Sequence, residues 1–218
     1  MEWKLLDPLS GEERRSLLAR ARRRRFAKGE VLFHEGDPGD ALHLIDKGHV
    51  AMRVTTPLGD VATLLVAGAG DFFGELALVS DNATRNTTVV ALDPVETLTL
   101  HRDQFAELRR DHPAVDRILV VALAEEVRRL SGRLSEALFV PVDKRVYRRL
   151  ADLVAIYARA GGGIVTIPLT QDDLASMAGT TRPTANKIVK AAEAAGILRI
   201  GRGRIEVTDT NGLGKRAR

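Results

Sequence analysis

The pattern of apolar and polar positions changes period twice along the 218 residues. From Phe26 to Arg102 no helical repeat is sustained. Short apolar or alternating runs occur instead at Val31–Phe33, Ala41–Ile45, His49–Val54, Val61–Val66, Thr87–Ala91 and Glu96–Leu100. Between them lie turn-formers: Gly36-Asp37-Pro38-Gly39, Lys47-Gly48, Pro57-Leu58-Gly59 and Gly68-Ala69-Gly70. Strands at this spacing predict an antiparallel barrel or sandwich. Just ahead of them, Arg20 and Arg22 to Arg25 form a basic run. It reads as the solvated end of a helix, where the dipole favours cations, with a second nucleic-acid patch as the alternative.

From His112 to Phe139 the period lengthens to seven. Leu123, Leu130 and Ala137 form one series, and Val120, Val127 and Leu134 the other. These interleave as the a and d positions of a long helix, which packs either on its own domain or on a second copy. Gly132 lies within it and weakens it by ~1 kcal/mol, so it marks a place for local adjustment near a ligand.

The third pattern, Pro168 to Ala194, is two short helices joined by a glycine. Thr170 and Asp173 form a capping box with the shorter acid, and Leu174, Met177 and Ala178 make the inward stripe. Gly179 permits a left-handed turn that a Cβ would resist. Thr181 caps the second helix, Pro183 occupies its first turn, and Ile188, Val189 and Ala192 face inward. Arg182, Thr184, Lys187 and Lys190 are left outside, the layout of a helix that enters a DNA major groove by its N-terminus. Ile197–Ile200 and Arg204–Val207 flank Gly201-Arg202-Gly203 and predict a β-hairpin, hence a winged helix-turn-helix. Such modules bind DNA as two-fold dimers, which favours the second copy as the partner of the heptad helix.

Charge sharpens this division. Residues 140–218 hold 14 Lys and Arg against 7 Asp and Glu, a net +7, whereas residues 1–139 are net −3. A basic module on a mildly acidic remainder is the footprint of DNA binding. The absence of cysteine excludes disulfides, thiolate zinc and cysteine-bound iron–sulfur clusters. No apolar run approaches the ~20 residues of a membrane span, and Met1-Glu2-Trp3 does not open a signal peptide, so a cytoplasmic protein is expected. His34, His43 and His49 lack the His-x-His spacing of a metal cupin, so neither a catalytic nor a metal site is expected. Most of these histidines, with His101 and His112, read as surface or turn residues.

Within the strand region, Asp71 to Leu78 looks like a helix start between strands, and Arg85 follows. Free amides at Gly74, Glu75 and Leu76 suit an anion, and the planar fork of Arg85 suits the same anion. A Glu75–Arg85 salt bridge is the plainer alternative.

Phe33-x-x-Gly36-Asp37, Gly48-x-Val50, Phe73-Gly74-Glu75-Leu76 with Arg85, Leu138-Phe139 and Arg182-Pro183-Thr184 together resemble the cyclic-AMP receptor protein/FNR family of transcription regulators, over essentially the whole chain. The resemblance implies an α+β fold: an antiparallel, cyclic-nucleotide-binding-like β-roll (1–111), a long dimerisation helix (112–139) and a winged helix-turn-helix (140–218). It also implies that Glu75 receives a ribose hydroxyl and that the Gly74–Leu76 amides with Arg85 hold a cyclic phosphate. Residues at Leu130 and Ser131 would meet the base, the serine coming from the partner subunit. Departures follow the same map. Asn86 stands where cyclic-AMP binders place Ser or Thr, and an amide still donates to phosphate. Leu130 replaces a threonine that bonds the adenine amino group, which leaves the base identity open. Pro183 replaces a glutamate that some members aim at cytosine, and proline accepts no such bond.

A homodimeric, non-enzymatic regulator of palindromic DNA is therefore expected, modulated by cyclic AMP or another anionic nucleotide, with RNA polymerase as a further partner and no membrane. Thr181, Arg182, Thr184, Lys187 and Arg202 are the expected DNA contacts, with Gln171 and Lys190 mainly on phosphates. An effector-independent regulator with a vestigial pocket, or a regulatory subunit acting through protein contacts, are the alternatives.

Overall fold

The computed structural model describes residues 3–57, 59–79, 83–158 and 163–218. Leu58, in the expected turn at 57–59, lies outside them. A 3₁₀ turn at Lys4–Leu6 leads into helix α1 (Gly11–Arg20). Ser10 caps α1, its hydroxyl accepting from the Glu13 amide while the Glu13 carboxylate accepts from the Ser10 amide.

The strands that follow are β1 (Arg22–Phe26), β2 (Val31–Phe33), β3 (Ala41–Lys47), β4 (Val50–Thr55), β5 (Val61–Ala67), β6 (Phe72–Phe73), β7 (Thr88–Ala91) and β8 (Val95–His101). They form two four-stranded sheets, ordered β1-β8-β3-β6 and β2-β7-β4-β5. Arg20 does close α1, as expected, but Arg22 to Arg25 form a strand and not a helix end. β1 lies at a sheet edge, antiparallel to β8 with Arg23 opposite Leu98 and Phe26 opposite Val95. Water and acids reach such an edge, which is why four arginines in a row are tolerated there. Arg23 pairs with Asp46 and Glu96, and only Phe26 turns into the core.

β3 is buried over residues 41–45 because it is covered on both faces. Leu42 and Leu44 join one cluster with Trp3, Leu17, Leu100 and Phe105; Ile45 joins the other with Val50, Phe73 and Val89. Helix α2 (Arg102–Asp111) follows, then a 3₁₀ turn at Pro113–Asp116 and helix α3 (Arg117–Phe139). The long helix therefore starts at Arg117, later than the expected His112, because Pro113 brings no amide and disfavours helical backbone before it. Ile118 and Ala122 are its buried face, whereas Val120, Val127, Leu130 and Leu134 are exposed.

Beyond α3 come α4 (Val142–Tyr157), β9 (Val165–Ile167), α5 (Gln171–Met177), α6 (Arg182–Ala194), β10 (Leu198–Gly201), β11 (Arg204–Val207) and α7 (Thr210–Ala217). The expected hairpin is present as β10 and β11, and β9 adds a third strand against β11. Leu150, Leu153, Ile167, Leu174, Val189, Ala192 and Val207 are among the buried residues here. The chain divides into two compact units, Met1–Val54 with Val66–Leu130 and Thr55–Leu65 with Ser131–Arg218.

Candidate functional site

Arg85 is placed by the turn that precedes β3. The Gly36 amide donates to the Arg85 carbonyl, and the Arg85 amide donates to the Asp37 carbonyl, both at 2.8 Å. Its side chain runs inward and is only 6% exposed. Nη1 donates to the Ala41 carbonyl (2.9 Å) and weakly to that of Gly74 (3.4 Å), and Nη2 to Asp40 Oδ1 (3.0 Å). The guanidinium carbon sits 4.1 Å from the centre of the Phe33 ring, a cation–π geometry. Nε is buried with no partner among the described residues. Burial lowers the pKa of this group, against the opposing pull of Asp40, yet arginine stays charged throughout the physiological range.

Gly74 closes the cradle. Its φ is +80°, and a Cβ would lie 2.5 Å from Arg85 Nη1 and 2.8 Å from the Ala41 carbonyl oxygen, so only glycine fits. The helix start expected there is a 3₁₀ turn, Glu75–Leu78. Burial raises the Glu75 carboxyl pKa; the charges of Glu126 and Arg129, on α3, also act on it, in opposite directions. The plainer alternative, a Glu75–Arg85 salt bridge, is replaced by the Asp40–Arg85 pair. Leu76 is half-buried, Asn86 exposed, and Leu130 and Ser131 exposed on α3.

The second candidate surface is built on α5 and α6. The Thr170 hydroxyl accepts from the Asp173 amide, and the Asp173 carboxylate accepts from the Thr170 amide, which is the expected capping box. Gly179 has φ +60°, as the turn requires. Thr181 is the N-cap residue of α6, but its hydroxyl bonds the Thr184 hydroxyl at 3.0 Å and caps no amide. Arg182, Lys187 and Lys190 are exposed along α6, Thr184 and Gln171 are half-buried, and Arg202 is exposed at the β10–β11 turn. Arg182 Nη1 lies 3.4 Å from Asp172 Oδ2, and Arg204 bonds Glu206 at 2.8 Å.

Comparison with known proteins finds matches over both regions of the chain. Residues 23–112 match the cyclic nucleotide-binding domain, and residues 144–216 match the Crp-like helix-turn-helix domain. A CRP-like cAMP-activated global transcriptional regulator of Mycobacterium tuberculosis is 31% identical over 88% of this chain and 87% of its own length. The cyclic AMP receptor protein of Thermus thermophilus is 32% identical, covering 94% and 92%. The crystal structure of the Thermus thermophilus catabolite activator protein superposes with a TM-score of 0.56 at 31% identity, covering 98% of this chain and 97% of that one. The chain belongs to the CRP/FNR family of transcription regulators. It is a regulator and not an enzyme, with a β-roll, a long helix and a helix-turn-helix domain.

Among the described residues, no His, Cys, Asp and Glu cluster could hold a metal ion, and no helix is long and apolar enough to cross a membrane. For this CRP/FNR chain, sequence reasoning missed Asp40, the Phe33 ring and the Ala41 carbonyl around Arg85. It also did not single out His43 as a core residue. His43 is 2% exposed on β3, stacked 4.8 Å from Phe73 and tilted 6.0 Å from Phe33. Burial depresses its pKa to about 3, helped by the charge of Arg85, so the ring is neutral. His49 is no free surface group either, with Nδ1 2.6 Å from Asp93 Oδ2.

Proposed function

We propose that the chain is a homodimeric, sequence-specific DNA-binding regulator whose β-roll takes a cyclic nucleotide and thereby changes DNA affinity. The observation that carries the nucleotide part is Arg85. A cation this buried, with one N–H unpaired and a glycine opposite whose Cβ position is already filled, is a built anion site. Gly74, Glu75, Leu76, Arg85 and Asn86 would hold the phosphate and ribose, and Leu130 and Ser131 would lie nearest the base. The names of two relatives, a cAMP-activated regulator and a cyclic AMP receptor protein, support cyclic AMP as the first ligand to test.

The dimer is supported by α3, where Val120, Val127 and Leu134 are each more than 60% exposed on one stripe. An apolar stripe this open on a helix favours burial against a mate. A two-fold palindrome is then the operator, read by Arg182 with Thr184 and Lys187, while Gln171, Lys190 and Arg202 meet phosphates. Pro183 alters the preference at one base pair per half-site. RNA polymerase is the partner through which such a regulator acts.

Calorimetry of the chain against cyclic AMP, cyclic GMP and cyclic-di-GMP, with and without operator duplex, tests this reading. Effector and DNA must strengthen each other reciprocally. A second reading has its own support: Asp40 already balances Arg85, and Leu130 offers the base no hydrogen bond. Operator binding that is equal with and without every nucleotide would establish that reading, a regulator with a vestigial pocket. Sedimentation that finds a monomer at micromolar concentration would remove the dimer.

A further inference from the structure

The last carbonyls of α5 point past any helical amide, as they must at a helix end. Here they are bonded by two arginines from elsewhere in the same compact unit. Met177 O accepts from Arg133 Nη1 of α3 at 3.1 Å. Ala178 O and Gly179 O accept from Arg145 Nε and Nη2 of α4, at 3.0 and 3.2 Å. The Nη1 of Arg145 turns the other way, to Val140 O at 3.1 Å and Ala137 O at 3.4 Å, the carbonyl end of α3. One guanidinium thus joins the negative ends of two helices, and its charge suits both dipoles.

We propose that Arg145 and Arg133 are positioning residues for DNA reading, holding the turn of the helix-turn-helix against the end of α3. Gly179 is followed closely by Arg182, the first residue of α6, so the carbonyls that are held sit just before the recognition helix. α3 is continuous to Phe139 and carries the exposed stripe. A shift or rotation of its final turns therefore moves the start of the recognition helix with it. Arginine is required at 145 because its planar fork places donors on three separate nitrogens; lysine carries all its donors on one nitrogen and cannot span carbonyls on two sides.

The decisive variant is Arg145→Lys, which keeps the charge and removes the geometry. Duplexes enriched from a random library by the wild-type chain serve as the specific probe, and a fixed unrelated duplex as the non-specific one. Specific affinity should fall about tenfold, with non-specific affinity unchanged within about twofold, because phosphate attraction depends on charge and base reading on placement. Hydrogen exchange should quicken at the amides of residues 178–186, while sedimentation matches wild type. Arg133→Gln, which removes the bond to Met177 O, should show the same direction with a smaller loss. A specific-to-non-specific ratio equal to wild type in both variants overturns the proposal. If the wild-type chain enriches no duplex, DNA reading itself fails; the exchange experiment still judges the brace, and unchanged exchange in both variants overturns it.

Discussion

Arg85 and Arg182 are the two arginines on which the functional reading turns, and they are held in opposite ways. Arg85 is 6% exposed, over the ring of Phe33, and engaged by Asp40 and two carbonyls. The Arg182 side chain is 66% exposed, with one loose contact to an equally open Asp172. A single small anion must be taken out of water, so its cation has to be fixed before it arrives, in a dry setting where each bond is strong. DNA offers a long row of phosphates and base edges, so its cations have to be free to reach outward. The two surfaces of one chain thus show preorganisation and availability as separate solutions to binding negative charge.

The largest expected effect breaks the buried half of this contrast. Arg85→Leu should lower cyclic AMP affinity on the order of 100-fold, the loss of at least one charge-assisted bond in a desolvated site. Calorimetry reads this directly, and Arg85→Lys should recover little of it. Affinity kept by the leucine variant would place the nucleotide elsewhere.

A second prediction asks whether burial is confined to Arg85 or characterises the whole β-roll. The pKa of His43 falls from 6.5 in the unfolded chain to about 3 in the native one. Between those values the unfolded chain binds a proton that the native state refuses. Stability is therefore lost as the pH drops through that window, by up to about 1.4 kcal/mol per pH unit. Trp3, the one tryptophan, is buried and its indole N–H donates to the Ile45 carbonyl, so its fluorescence reports this unit. Denaturation followed by that signal should show a steep acid limb that flattens in His43→Leu. Equal limbs in the two proteins would sink the idea.

The exposed half predicts smaller and more selective changes. Arg182→Ala should cost ~1–3 kcal/mol of discrimination at one symmetric pair of base pairs, measured by competition among base-substituted operators. A uniform loss across all substitutions would demote Arg182 to a phosphate contact. Lys190→Ala should weaken every sequence slightly and make the salt dependence shallower by about one unit of slope. A change in sequence preference on that substitution would contradict its assignment to the backbone.

How much of this was legible in the sequence follows from the range of the interactions. The alternating runs located β2, β3, β4, β5, β7 and β8 because the signal is local, and capping placed α5 for the same reason. β6 is two residues long, too short to show a period, and β9 stands alone between helices with no neighbouring run to pair with. β1 was hidden because four arginines break the alternation, and what makes it a strand is β8, far along the chain. The burial of His43 was not legible because a strand covered on both faces has no polar side, so its neighbours gave no contrast. At the candidate site, the glycine and arginine could be read from their spacing. Asp40 could not, since nothing local ties it to a residue 45 positions away.

The edge position of β1 bears on how the chain behaves when crowded. An open sheet edge is a template on which a second copy can lay down its own strand, and from there fibres grow. For β1 to accept its twin, Arg22 to Arg25 of two chains would have to lie side by side, about 5 Å apart. Asp46 and Glu96 balance only part of that charge. The repulsion protects this edge in the folded protein, and it acts equally on a chain still emerging from the ribosome, before any partner strand exists to cover it.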